Sequence, residues 1–192
     1  MRSILIGIVL LMLGGFGALS YQYFQGRTAS GEAFGAPFTL VDQSGAEITE
    51  AAFRGQPTVL FFGFTHCPEI CPTTLFELDG WLNQLGAEGE EIDAYFITID
   101  PERDTPEIMR SYVGNVSDRI VGISGEPADV LEMARAFSIY VKRVDLEGGD
   151  YTMDHTASVL MLDETGDFAG TIAYGENPDT ALAKLRRLAT GT

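Results

Sequence analysis

The chain has 192 residues, 45% of them hydrophobic and 10% aromatic, with 28 acidic against 12 basic side chains and a net charge of −16. That apolar content excludes a disordered chain, and no basic stripe is present that could track phosphates, so nucleic acid is excluded as a partner. The acids are scattered apart from a cluster at 88–93 and read as a solubilising surface.

Residues 3–26 carry no charge, and 4–19 are nearly all apolar or glycine. With Tyr21, Tyr23 and Phe24 as an interfacial aromatic end, the stretch is long enough to cross a bilayer. Arg2 on the short leading side puts the rest of the chain outside the cytoplasm. Residues 1–25 therefore read as a single membrane-anchor helix; Ala18 and Ser20 also fit a cleavage site, so a signal sequence is the alternative. No cysteine near residue 20 suggests a lipoprotein, and no long Arg-rich leader suggests a mitochondrion. The expected location is a bacterial inner membrane with the C-terminal domain in the periplasm, an oxidising space.

Residues 26–35 form a small, polar, glycine-rich linker, and 36–192 read as one domain. Two short β-rich runs within 37–49 make a hairpin around Asp42-Gln43-Ser44-Gly45. An apolar strand follows at 58–64, then a helix at 72–85 with Leu75, Leu78, Trp81, Leu82 and Leu85 on one face. Further on, the pattern predicts a strand at 94–99 and a helix at 106–113, with Thr105 as N-cap and Pro106 at its first position. A strand at 119–123, a helix at 127–137 and a strand at 139–144 come next. Paired strands at 158–163 and 168–173 precede a closing helix at 180–188. Strands alternating with helices, with a hairpin at each end, indicate an α/β sheet.

Cys67 and Cys71, in FFGFTHCPEICPTTLFEL, are the only cysteines. They lie at a strand-to-helix junction, one helical turn apart, with Cβ atoms about 5–6 Å from each other if helical. That separation suits a disulfide, and it equally suits one soft metal ion between two thiolates. The following helix N-terminus favours the thiolate forms. A structural disulfide closing so short a loop would contribute little stability.

These residues invite comparison with a family. Four blocks in order, FTLVDQSGAEIT, FFGFTHCPEICPTTL, FITIDPERDTPEIMRSYV and MDHTASVLMLDETG, resemble the Sco/SenC copper-binding assembly proteins of cytochrome c oxidase over nearly all of the globular part. The resemblance implies a thioredoxin-like fold with an added N-terminal β-hairpin and a membrane anchor. It also implies that Cys67, Cys71 and His155 are metal ligands for one copper per chain, as copper(I) or copper(II). Glu69, Met153 and Thr156 depart from the family's usual residues, but none removes a ligand. Thiolates suit copper(I), and imidazole suits both oxidation states. His155 is placed by the resemblance on a loop entering the late strand pair, where such folds face their cysteine site.

The resemblance further implies that copper passes to the binuclear copper site of cytochrome c oxidase subunit II. Another periplasmic copper donor and a thioredoxin-like reductant are further candidate partners. The alternative function is a thiol-disulfide oxidoreductase using Cys67 and Cys71 as its redox pair. Against it, the cysteine gap is three residues, and none of the eight prolines lies at 154–156.

Other candidates read more plainly. His66 beside Cys67 should point away from the site. Asp154 reads either as a partner of His155 or as a solvated carboxylate. In the DPERDT segment, Asp104 reads as turn and cap chemistry while Asp100 stays open. Met109, Met133, Met153 and Met161 read as packing.

Overall fold

The computed structural model of the chain describes residues 34–191. The expected membrane anchor and most of the linker lie outside the described residues; within them, no helix is long and apolar enough to cross a membrane.

A seven-stranded sheet forms the centre. Its strands are β1 (Thr39–Asp42), β2 (Glu47–Thr49), β3 (Thr58–Gly63), β4 (Asp93–Thr98), β5 (Ile120–Ser124), β8 (Val159–Leu162) and β9 (Phe168–Ile172), in the order β2-β1-β5-β4-β3-β8-β9. β3, β4 and β5 run parallel, while β1 and β8 join antiparallel on either side. The two predicted hairpins thus close the two edges. All six residues of β3 are buried, as a central strand covered on both faces requires.

The helices are α1 (Ile70–Leu85), the short α2 (Ala87–Glu90), α3 (Pro106–Gly114), α4 (Pro127–Ala136) and α5 (Pro178–Thr190). α1 starts two residues earlier than its pattern predicts, so Cys71 falls inside its first turn, where Pro72 costs no hydrogen bond. Leu75, Leu78 and Leu82 are fully buried, and α1 packs against α5. Thr105 caps α3 by accepting from the Ile108 N–H, with Pro106 at the first position as predicted. Tyr112 of α3 stacks on Phe96, which stacks on Phe61, so these rings share one face of the sheet. Phe62 points to the opposite face and meets Phe137 at the end of α4.

One expectation needs correcting. Residues 154–156 read as a loop, whereas Tyr151–His155 is a strand, β7, paired antiparallel with β6 (Val141–Asp145) in a separate two-stranded ribbon. Its pattern is weak because no residue of β7 is fully buried and most of its partner β6 is exposed. His155 is therefore the last residue of a strand, opposite Val141.

Candidate metal centre

The cysteines stand where β3 leaves the sheet at its C-terminal edge, the edge at which α/β folds gather ligands. After Gly63 the chain turns, with the Cys67 N–H donating to the Phe64 carbonyl at 3.2 Å. α1 then begins without a side-chain cap from Glu69. Instead the Cys71 N–H donates to Cys67 Sγ at 3.4 Å, so sulfur does the work usually done by a capping oxygen. Both cysteines are free thiols; Cys71 is fully buried and Cys67 partly so.

This asymmetry separates their acidities. The hydrogen bond from the Cys71 thiol pulls Cys67 down to about 5 despite its partial burial, helped by the N–H groups of Cys71, Glu69 and Ile70. The same bond, with burial, pushes Cys71 up. Between the two, the thiolate is thus favoured on Cys67, the more accessible sulfur, and the proton on Cys71. A depressed value keeps the thiolate present as pH falls. Iodoacetamide labelling of the reduced protein should therefore modify Cys67 at a nearly constant rate down to about pH 6 and at half that rate near about pH 5, leaving Cys71 untouched. Mass spectrometry of labelled peptides checks this; a Cys67 midpoint near the ordinary thiol value of about 8.5 would contradict it.

His155 is brought to the same place from the ribbon. Its Nδ1 lies 2.9 Å from the Thr156 carbonyl, which can only accept, so Nδ1 carries the proton. Nε2 is left with its lone pair, 3.7 Å from Cys71 Sγ. Phe61 and Phe64 meet the imidazole at steep angles, with ring centroids 6.3 and 5.9 Å away. Metal–sulfur and metal–nitrogen bonds of about 2.3 and 2.0 Å, meeting at about 120°, would put the two donors about 3.7 Å apart. The observed gap is of that size, so the distance between Cys71 and His155 is compatible with one shared ion. A closed cage is not preformed: among the described residues no group of three His, Cys, Asp or Glu side chains is already arranged to hold one.

Close approach beneath the sulfurs depends on Gly63. A Cβ there would lie 2.9 Å from Cys71 Sγ and 2.7 Å from the Phe96 ring, closer than real contacts allow.

Asp104 departs from its expected role. Thr105 alone caps α3, and Asp104 points inward, fully buried. It accepts from the Thr65 N–H at 3.0 Å, the Thr98 hydroxyl at 2.7 Å and the Thr65 hydroxyl. Burial raises its carboxyl above the ordinary range, with these hydrogen bonds acting against that rise. The carboxylate thus ties the cysteine-bearing turn to the end of β4. Asp104→Ala leaves the Thr65 N–H and the Thr98 hydroxyl without an acceptor and should cost about 3 kcal/mol. Urea unfolding of the reduced protein measures the loss, and a change below about 1 kcal/mol would remove the structural role.

His66 lies as expected away from the sulfurs. Its Nδ1 is 3.2 Å from the Thr65 hydroxyl and 3.9 Å from Asp104, and half of its side chain is exposed. Asp154 is exposed on the outer side of β7. Met109, Met133 and Met161 are core residues, and Met153 packs against the core from the ribbon. Asp100 is buried and bonded to Tyr151 and Arg103. Phe64, Gly63 and Tyr151 were not singled out from sequence.

The SCO1/SenC family model matches residues 26–190. The chain belongs to the SCO1/SenC family. Among family members it is 33% identical over 156 residues to SCO1 homolog 1 of Arabidopsis thaliana, covering 81% of this chain and 46% of that protein. It is 32% identical over 136 residues to the SCO2-like protein RP587 of Rickettsia prowazekii, covering 70% and 66%. The chain thus spans about half to two thirds of the length of these curated relatives. ScoI of Bradyrhizobium japonicum, solved with copper bound, superposes with a TM-score of 0.75 at 41% identity, covering 81% of this chain and 99% of that one. Fold and family therefore agree with the resemblance carried by the four sequence blocks.

Proposed function

We propose that this protein is a copper chaperone that holds one copper(I) or copper(II) ion through Cys67, Cys71 and His155. The observation that carries the reading is the 3.7 Å approach of His155 Nε2 to Cys71 Sγ, beside a second sulfur, in a chain similar to copper-bound ScoI. The Sco family is described as one of cytochrome c oxidase assembly proteins. The intended client is accordingly the binuclear copper site of oxidase subunit II, in the periplasm, with the chain tethered to the inner membrane by its N-terminal segment.

Transfer proceeds by ligand exchange. Cys67 is the accessible, thiolate-bearing donor and Cys71 the buried one. An incoming client thiolate displaces Cys67 first, while Cys71 and His155 retain the ion until a second client ligand arrives. Tethering both proteins to one membrane surface raises their encounter rate without added affinity.

Metal titration of the reduced domain tests the reading. One copper per chain, with a sulfur-to-copper(II) charge-transfer band, supports it. No stoichiometric copper, with turnover of a disulfide substrate instead, would move the protein to the oxidoreductase class.

A further inference from the structure

The β6–β7 ribbon hydrogen-bonds to no strand of the main sheet, yet it carries one of the three proposed copper ligands. Its attachment to the body therefore decides where His155 stands. Alternation along β7 puts Tyr151, Met153 and His155 on one face and Thr152 and Asp154 on the other. The first set faces the body: His155 meets Cys71, Phe61 and Phe64, and Met153 packs on the core. Tyr151 meets the segment that follows β4.

That contact is polar and specific. The Tyr151 hydroxyl donates to Asp100 Oδ1 at 2.7 Å, and Arg103 Nε donates to the other oxygen of the same carboxylate. Arg103 Nη1 also donates to the Tyr151 carbonyl at 3.1 Å. The Tyr151 ring lies between two guanidinium groups, Arg103 at 3.7 Å and Arg143 of β6 at 3.6 Å from its centre. Asp100 is only 4% exposed and Arg103 Nη2 is buried without a hydrogen-bond partner, so the carboxylate and this side of the guanidinium are withdrawn from water, while Nη1 also reaches the exposed Asp150 at 3.3 Å. A buried ion pair of this kind adds little net stability compared with an apolar pair, but it fixes one geometry. Four residue steps of extended chain lead from Tyr151 to His155, about 13 Å along the strand. The clamp thus grips the ribbon at the end remote from the sulfurs.

We propose that Asp100, Arg103 and Tyr151 form a latch that holds the β6–β7 ribbon against the body and thereby sets His155 over the cysteine pair. Arg103 and Tyr151 are positioning residues and touch no metal. The latch's purpose rests on the reading of His155 as a copper ligand. Its mechanical part stands on the ribbon contacts alone.

Hydrogen exchange by mass spectrometry on the metal-free full chain reads the mechanical part, in Arg103→Gln and in Tyr151→Leu. The second variant leaves the Asp100–Arg103 pair intact should the first misfold. Ribbon peptides covering 141–155 should exchange at least about 10-fold faster, while peptides from β3 and β4 keep their protection. Copper titration of the same variants should show copper(II) affinity falling at least about 10-fold and copper(I) affinity less than about 3-fold. Unchanged ribbon exchange in both variants overturns the latch. Faster ribbon exchange with copper(II) binding intact overturns its role in placing His155, provided His155→Ala itself loses copper(II). If His155→Ala retains copper(II), the ligand reading has failed, and the latch's purpose falls with it.

Discussion

Replacing either cysteine with serine is expected to abolish tight copper(I) binding. Copper(I) is soft, and a neutral hydroxyl is a poor substitute for a polarisable thiolate. The remaining pair, one sulfur and one imidazole, would hold the ion at least about 10³-fold more weakly, or about 4 kcal/mol. The two variants should nonetheless differ in the copper-free protein. Serine at 67 still offers an oxygen to the Cys71 N–H, which lies 3.4 Å from the native sulfur, and serine is a favoured helix cap. Cys67→Ser should therefore change stability by less than about 1 kcal/mol. Serine at 71 puts a hydroxyl into a fully buried site lined by Phe96 and His155, and it removes the thiol that stabilises the Cys67 thiolate. Cys71→Ser should cost about 1–3 kcal/mol and raise the pH at which Cys67 becomes alkylated. Competition against a copper(I) chelator, with urea unfolding alongside, separates the two effects. A single serine variant that keeps wild-type copper(I) affinity would sink the two-thiolate site.

What could be read beforehand follows the strength of the local signals. The β3 strand and α1 were legible because six consecutive apolar or small residues precede a run of leucines at helical spacing. Thr105-Pro106 announced the start of α3 through capping chemistry that owes nothing to tertiary contacts. The cysteine pair was legible because its spacing is local. The ribbon strand β7 was not, since its five residues alternate weakly and pair with a largely exposed partner. Asp104 was misread for a related reason. Beside a Thr-Pro start an aspartate looks like a cap, and only the sheet shows that its carboxylate meets Thr65, 39 residues away. The partnership of His155 with Cys71 spans 84 residues and came from resemblance rather than spacing.

His155→Ala should divide the two oxidation states. Copper(I) accepts two thiolates as a sufficient donor set, so its affinity should fall less than about 10-fold. Copper(II) is harder and takes more donors, and the imidazole is the one nitrogen among the three proposed ligands. Its affinity should fall at least about 100-fold, or about 2.7 kcal/mol, with loss of the charge-transfer band. The bond from Nδ1 to the Thr156 carbonyl makes this more than the loss of any nitrogen, because it fixes which ring atom faces the sulfurs. A glutamine at 155 would offer no comparable lone pair and should not restore the band. The copper-free variant should stay folded, since the imidazole sits at a ribbon end and is only partly buried. Equal loss of both oxidation states would contradict this division and make His155 a common anchor for the ion. Retention of both would leave the two sulfurs as the whole site.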